Sequence, residues 1–258
     1  MLPFVSSANS SYWQTPRTAG KSETKVIRTT QMQHRYAHVE MLVQPLERGT
    51  GFEFSDEAAT TGAIPQSFLL SVETGVLRAA QIGLWGFPVI DFRATILNGS
   101  YHDVDSNNEV FEEVAELAFF EAMLQSEPFL LEPWITLKVS VDEEHLAAVF
   151  DGLNRHRSLI GDTQKASANR IAVRIPQNEA VHFLGTFALL TAGTGTFSAS
   201  SPDCLDELPM SLTWRFFCRL CSRDMIVPLI QGKPFADECL ICGTPFEPPD
   251  FALPVRKC

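Results

Sequence analysis

The sequence predicts an α+β protein in which two mixed domains precede a small cysteine-rich unit. Runs of alternating apolar residues, typical of strands, recur between segments whose apolar residues follow helical spacing. Beyond residue 131 these segments follow the order βαββαβ, which is the ferredoxin-like split repeat. All six cysteines lie from residue 204 onward, which is unlike a disulfide framework distributed through a secreted core.

The first domain is predicted to begin with a pair of strands. Residues 1–20 are rich in Ser, Thr, Asn and Pro and have little periodicity, so we expect a flexible lead-in over 1–24. Apolar residues then alternate over 25–30 and again over 38–43, which predicts two paired strands. Residues 31–35 would connect them.

A helix and a third strand are predicted to follow. From Pro65 the apolar residues recur at helical spacing, and Gly83 is placed to end that helix. Residues 89–97 have the pattern of a strand, which we expect to turn at Asn98-Gly99.

A second helix is predicted after residue 106. Ser106 and Glu109 have the spacing of a capping box and precede an apolar stripe. We interpret the acidic residues of this helix mainly as its solvated face: Glu109, Glu112, Glu113, Glu116 and Glu121.

A domain boundary is predicted near Leu131, where a new cycle of elements begins. The βαββαβ order places strands at 135–141, 158–163, 171–175 and 194–200, with helices at 142–153 and 179–190. A stretch containing proline and cysteine then leads to a third, small unit over 211–258.

Charge and hydropathy exclude several classes of protein. The net charge of -11 argues against a broadly cationic nucleic-acid-binding surface. Residues 1–50 carry six Lys/Arg and three Asp/Glu, whereas residues 51–150 carry three and seventeen, so the acidity belongs to one segment. No window is apolar enough for a membrane span, and the N-terminus lacks the basic region of a secretory signal. We therefore expect a cytoplasmic protein.

Two CxxC motifs form the strongest local pattern. Seventeen residues separate the first motif from the second, and four thiolates so arranged suit a tetrahedral structural zinc site. The ligands would be Cys218, Cys221, Cys239 and Cys242. A unit of this size has little core, so the metal would supply folding energy. A redox dithiol is the alternative, and Cys204 and Cys258 are interpreted as spectators.

The sequence gives little support to an enzyme. Gly20-Lys21-Ser22 has the end of a phosphate-loop motif, but Thr15 stands where the earlier glycine is required. The six histidines form no HExxH pair, and no Ser/His/Asp set is apparent. We predict that the chain has no catalytic residues.

Several long segments resemble translation elongation factor G. Residues 36–54, YAHVEMLVQPLERGTGFEF, and 86–106, GFPVIDFRATILNGSYHDVDS, closely resemble its domain IV. Residues 130–133, 152–157 and 190–197 are similar to its domain V. The resemblance covers roughly residues 13–200, with a domain IV-like part at 25–130 and a ferredoxin-like domain V at 131–205. The zinc ribbon predicted from the CxxC motifs would occupy 211–258.

The resemblance implies a left-handed βαβ fold for domain IV and a ribosomal partner. In that family, domain IV imitates the anticodon arm of tRNA at the decoding region of the small subunit, while domain V approaches the large-subunit factor-binding region. The matching tip loops are 30–36 and 98–106, with His102 at the family's tip histidine. The RNA-binding residues expected from this match, whose side chains suit RNA grooves and unstacked bases, are Gln31, Gln33, His34, Arg35, Ser100, Tyr101, His102 and Asp103.

This sequence also departs from the family. The family's GTPase domain has no counterpart in it, so GTP-driven translocation is not expected. Residues 31–35, QMQHR, replace a glycine-rich stretch of the first tip loop, and Thr194 stands where the family usually has arginine. The double CxxC unit is foreign to the family. These departures indicate a stand-alone, repurposed derivative.

Two hypotheses of function follow. The first is a non-GTPase ribosome-binding factor whose tip modulates translation or protects the ribosome from an inhibitor, a form of antibiotic resistance similar to that of the tetracycline ribosomal protection proteins. The alternative is an adaptor whose zinc ribbon recruits a protein partner. Neither involves GTP or a membrane. An enzymatic role would need a cavity joining His102 to a buried carboxylate.

Overall fold

The chain divides into two units, one formed by Met1–Leu130 with Pro209–Cys258 and the other by Leu131–Leu208. The computed structural model describes residues 12–29, 34–57, 63–165, 169–218, 220–230, 233–234, 236 and 238–245. In that part of the chain, no helix has both the length and the apolar character needed to cross a membrane.

The first unit contains a four-stranded sheet with two helices packed on it. Its elements in chain order are β1 (Trp13–Thr15), β2 (Gly20–Thr29), β3 (His34–Pro45), β4 (Phe52–Asp56), α1 (Gln66–Ile82), β5 (Phe92–Ser100) and α2 (Asn108–Gln125). The sheet order is β2-β3-β5-β4, and only the β4–β5 pair within it is parallel. Alternate residues of β3 are fully buried, which confirms the predicted strand pair and its apolar face. The left hand expected for the β4-α1-β5 crossover stays a prediction.

The flexible lead-in expected over residues 1–24 is wrong for residues 12–24. Tyr12 and Trp13 are buried, and β2 starts five residues before the predicted strand. A Cβ atom at Gly20 would lie 2.0 Å from the Ala122 carbonyl oxygen, so the glycine allows β2 to pack directly on α2. Residues 1–11 lie outside the described residues.

The turn expected at Asn98-Gly99 is also wrong. Both residues continue β5, where they pair with Glu40 and Val39 of β3. The register shifts between Glu40 and Met41, which indicates a bulge in β5. A Cβ atom at Gly99 would lie 2.5 Å from the His38 carbonyl oxygen, so the glycine is needed for close pairing of the strands and not for a turn.

Both helices of the first unit are confirmed, but the capping box is wrong. Pro65 and Gly83 flank α1 as predicted. At α2 the cap is Asn107, whose side chain accepts a hydrogen bond from the Val110 amide at 3.0 Å. Ser106 instead donates its hydroxyl to the backbone of Tyr36.

The acidic residues of α2 are not merely a solvated face. Glu113 pairs with Arg28 of β2, and Glu112 and Glu116 both pair with Arg78 of α1. These ion pairs connect α2 with β2 and α1 and neutralise part of the acidic segment.

The second unit has the predicted βαββαβ order. Its elements are β6 (Phe129–Val141), α3 (Leu146–Leu153), β7 (Leu159–Lys165), β8 (Asn169–Pro176), α4 (Gln177–Leu190) and β9 (Thr196–Ala199), followed by β10 (Cys204–Glu207). Strands β9, β6, β8 and β7 neighbour one another in that order, and β10 pairs with the start of β6. The inward residues of β6 and β8 form a core with Phe183 and Phe187 of α4.

Three short strands follow in the cysteine-rich part of the chain. They are β11 (Thr213–Cys218), β12 (Arg223–Ile230) and β13 (Lys233–Pro234), and all pair antiparallel. The hairpin between β11 and β12 pairs Cys218 with Arg223, so the first CxxC motif forms its turn.

Candidate functional site

The end of the β3–β5 pair carries a small polar cluster. His38 lies directly opposite Ser100 in the register of the two strands. The Ser100 Oγ is 2.7 Å from the Tyr36 hydroxyl and 3.2 Å from His38 Nδ1. Three partly buried polar side chains therefore fix one another at this edge of the sheet.

The loop after β5 is fastened to this cluster. The His102 amide donates to Ser106 Oγ at 2.9 Å, and the Ser106 amide donates to the His102 carbonyl at 3.0 Å. Ser106 Oγ donates to the Tyr36 carbonyl at 2.7 Å, while the Tyr36 amide donates to the Asp105 carbonyl at 3.0 Å. These bonds close residues 101–106 into a loop attached to β3, which we call the tip loop.

The tip loop presents two rings to solvent. The His102 side chain is 58% exposed, and its Nδ1 lies 3.1 Å from an Asp105 carboxylate oxygen. Tyr101 is 41% exposed and rests against Phe68, which stacks on Phe111 of α2. The rings are thus anchored by the fold and available for stacking and hydrogen bonding.

An open cleft brings four of the eight predicted RNA-binding residues together. His34, Arg35, Tyr101 and His102 all line it, as do Tyr36 and Asp105. Asp103 lies in the exposed turn of the tip loop, and Ser100 belongs to the polar cluster. Gln31 and Gln33 lie outside the described residues.

The basic residues beside the cleft have acidic partners. Arg35 lies 3.3 Å from Glu109, and Arg28, which also lines the cleft, pairs with Glu113. The positive charge of Arg28 and Arg35 is therefore offset by acidic residues of α2.

Tyr36, His38 and Ser106 were not among the predicted site residues. Burial, reinforced by the nearby charge of Lys25, lowers the pKa of His38 below its usual value, which favours a neutral ring at pH 7. Tyr36 and His38 are two residues apart on one strand, and this spacing alone could have indicated that they share a face of the sheet. Their link to Ser100 required the strand register.

The four cysteines of the CxxC motifs converge. The Sγ atoms of Cys218 and Cys242 are 3.6 Å apart, and those of Cys221 and Cys239 are 3.7 Å apart. All four lie within 4.8 Å of one another. Zinc–sulfur bonds of about 2.3 Å in a tetrahedron place sulfur atoms about 3.8 Å apart, so this set fits a four-thiolate metal centre.

The thiols do not have equal environments. The Thr244 hydroxyl and amide lower the pKa of Cys242 to about 6, whereas burial raises the pKa values of Cys221 and Cys239. Cys204 lies in the other unit, 2.7 Å from an Arg174 Nη2 atom, and Cys258 is outside the described residues.

The second CxxC motif contacts the first unit's main body. A Cβ atom at Gly86, whose φ is +83°, would lie 2.4 Å from Leu240 Cβ. Leu240 therefore occupies the space that any other residue at position 86 would fill, and the cysteine cluster is anchored beside the α1–β5 connection.

The structure also shows where the phosphate-loop-like segment and Thr194 lie. Gly20-Lys21-Ser22 lies within β2, where Lys21 pairs with Glu40 and Ser22 donates to the Ala118 carbonyl, so it is no phosphate-binding loop. Thr194 donates its hydroxyl to the Thr191 carbonyl at 2.9 Å, beyond the end of α4.

Two family models match consecutive parts of the chain. Residues 11–127 match "Elongation factor G, domain IV", and residues 129–210 match "Elongation factor G C-terminus". The chain is 36% identical over 203 residues to elongation factor G of Aquifex pyrophilus, covering 78% of this chain and 29% of that protein. It is 34% identical to that of Thermotoga neapolitana, covering 72% of this chain and 27% of the relative.

A solved structure is similar to most of this chain. A crystal structure of a Thermus thermophilus protein superposes with a TM-score of 0.68 at 29% identity, covering 80% of this chain and 31% of that one. The chain thus spans less than a third of the length of these relatives. Both family models end before the four converging cysteines.

Proposed function

The chain belongs to the elongation factor G family through its domain IV and C-terminal domain, and from this premise we propose that it is a ribosome-binding factor that does not use GTP. Its tip loop and the adjoining cleft would enter the decoding region of the small subunit, and the C-terminal domain would face the large-subunit factor-binding region. Such a partner would place the protein in the cytoplasm.

The tip loop is the observation that carries this proposal. Tyr101 and His102 are exposed on a loop whose backbone is fixed to β3 through Ser106. Proteins recognise RNA loops largely by stacking and by hydrogen bonding to unstacked bases, which these two rings can provide. A preformed loop also limits the entropy lost on binding.

The proposed biological effect is modulation of translation or protection of the ribosome from an inhibitor at the decoding site. Occupation of that site by the tip loop would compete with the inhibitor or alter its pocket. Addition of the protein to a translation extract treated with tetracycline is expected to restore synthesis. If inhibition is unchanged when ribosome binding is saturated, protection is rejected and modulation of translation is kept.

A His102→Ala variant is expected to bind ribosomes about tenfold more weakly, because one ring contact with RNA contributes roughly 1–3 kcal/mol. Binding is measured by co-sedimentation of the full chain with ribosomes over a range of salt concentrations. His182→Ala, on α4 of the other unit, is the matched control and should bind as the wild type does. Failure of the wild type to bind even at low salt would reject the proposed function.

The converging cysteines are proposed to hold one structural zinc ion. Cys218, Cys221, Cys239 and Cys242 would supply all four ligands, leaving no open position for catalysis. The ion would order the chain around β11 and β12.

A protein-interaction adaptor is the second candidate. It is favoured by the acidic partners of Arg28 and Arg35 and by exposed apolar residues in the cysteine-rich part, Phe217 and Leu220. A Phe217→Ser/Leu220→Ser variant that retains ribosome binding but loses a co-purifying protein would support this role.

A further inference from the structure

The second unit has one sheet surface covered by helices and one that is open. Inward residues of β6 and β8, such as Val139 and Ile171, pack in the core with α4. The alternate residues Lys138 and Arg170 are exposed on the opposite surface. The open surface also carries Arg174, whose side chain is 48% exposed.

The three cations form a regular row. Lys138 pairs with Ala172 in the register of β6 and β8, so Arg170 and Arg174 are its two diagonal neighbours on the same surface. Such diagonal positions are about 7–8 Å apart. Three positive charges are therefore spaced along the sheet at a repeat comparable with that of phosphates in an extended nucleic-acid strand.

Hydroxyl groups flank this row. Ser140 lies opposite both Arg170 and Thr196, and Ser198 lies opposite Lys138. Lys138, Ser140, Arg170, Thr196 and Ser198 line one open cleft. We call the surface formed by these five residues and Arg174 the basic sheet surface.

The charges of this surface are poorly compensated, which is unusual in a chain of net charge -11. Segments 136–140, 170–174 and 196–198 contain no Asp or Glu. Within the described part of the chain, Lys138 and Arg170 have no ion-pair partner, in contrast to Arg28 and Arg35 at the tip. Arg174 lies 4.0 Å from Asp203 at one end of the row.

We propose that the basic sheet surface binds the phosphate backbone of single-stranded or loop RNA without reading its sequence. Cationic and hydroxyl side chains are the groups that proteins direct at phosphates. The outward positions of these segments carry no aromatic ring, and Phe197, which also borders the cleft, packs edge-on against Phe187. Contacts to phosphates are therefore favoured over base stacking. This contact is separate from the tip loop, and its biological partner, ribosomal RNA, rests on the proposed function.

The test measures binding of the full chain to a fluorescein-labelled oligouridine by fluorescence anisotropy at several salt concentrations. Lys138→Ala/Arg170→Ala is expected to weaken binding at least about tenfold, since each charged hydrogen bond contributes roughly 1.5–3 kcal/mol. The slope of log K against log salt should become shallower by about 1.4, or about 0.7 for each phosphate that is no longer neutralised. Both residues point outward, so thermal unfolding should be unchanged.

Arg155→Ala/Arg215→Ala is the matched control, because it removes two charges from exposed positions elsewhere. Equal weakening in this control, or unchanged binding in the test variant, would overturn the proposal. Competition by polyglutamate as effective as that by unlabelled oligouridine would also overturn it, because the surface would then suit an acidic polypeptide.

Ribosome co-sedimentation separates this inference from the proposed function. Binding to oligouridine without binding to ribosomes would reject the proposed function and keep the RNA-binding surface. Ribosome binding that is sensitive to His102→Ala, without binding to oligouridine, would reject the surface and keep the tip.

Discussion

Replacement of Cys239 by serine is expected to abolish zinc binding and to unfold the chain around β11 and β12. Cys239 is buried and its Sγ is 3.7 Å from that of Cys221, so the hydroxyl would leave an incomplete ligand set. Structural zinc contributes about 10–16 kcal/mol of binding free energy in zinc-finger peptides. The buried core here is small, with Met225, Ile226 and Val227 as its main apolar residues.

Metal analysis and limited proteolysis measure this effect. The wild type is expected to contain one zinc per chain and to resist trypsin at Arg215, whereas Cys239→Ser should contain no zinc and be cleaved there. Cys204→Ser is the control, because Cys204 lies outside the cluster in the other unit. A Cys239→Ser protein that keeps both its metal content and its protease resistance would contradict the zinc assignment.

The same variant should loosen the packing against Gly86. Leu240 follows Cys239 directly and fills the space above Gly86. If the metal fixes this motif, hydrogen exchange near residue 86 should rise in Cys239→Ser while exchange in the second unit stays unchanged.

The sequence predicted correctly those elements whose defining residues lie close together in the chain. The helix between Pro65 and Gly83 was predicted from its own apolar periodicity and from the residues that flank it. The spacing of the CxxC motifs likewise predicted that the four thiols converge. The βαββαβ order was predictable for the same reason, since each strand and helix carries its own period.

The failures involve partners distant in sequence. Tyr12 is buried because its ring meets Phe87 edge-on, with centroids 5.8 Å apart, and nothing near residue 12 indicates this. Ser106 has a good capping pattern, but its hydroxyl donates to the carbonyl of Tyr36, seventy residues away. The tertiary hydrogen bond to Tyr36 thus replaced the helix cap that the local sequence predicted for Ser106.

The candidate site was predicted only in part, because some of its contacts also join residues that are distant in sequence. Exposed tip residues such as His102 were identified from a resemblance in sequence, whereas the supporting Tyr36–Ser100–His38 cluster depends on strand register. The ion pair between Arg35 and Glu109 could not be predicted from the sequence either, because one charge lies on a strand and the other on a helix.

Substitution of Arg157 by methionine is expected to destabilise the second unit by about 3–5 kcal/mol at neutral pH. The Arg157 guanidinium bonds both oxygens of Glu132, which is only 3% exposed, and it also bonds Glu179 at 2.5 Å. Methionine retains much of the side-chain volume but leaves the Glu132 carboxylate buried without its cation. The measurement is urea unfolding of the full chain followed by circular dichroism.

The loss should depend on pH, and its sign follows from Glu132. Burial raises the pKa of Glu132 in the wild type, while Arg157 partly opposes that effect. Without Arg157 the pKa rises further, so the folded variant binds a proton that the unfolded chain releases. The variant therefore gains stability as pH falls through the folded pKa towards the unfolded value near 4.3. Its deficit relative to the wild type should therefore shrink as pH falls from neutral towards that unfolded value.

Two comparisons distinguish a buried unpaired charge from lost packing. Adding Glu132→Gln to Arg157→Met removes both charges and should recover most of the stability, because a neutral buried pair carries no ionic desolvation penalty. Arg155→Met, two residues away and exposed, should change stability by no more than about 0.5 kcal/mol. A deficit in Arg157→Met that is constant with pH and unaffected by Glu132→Gln would mean that the guanidinium stabilises the unit by packing alone.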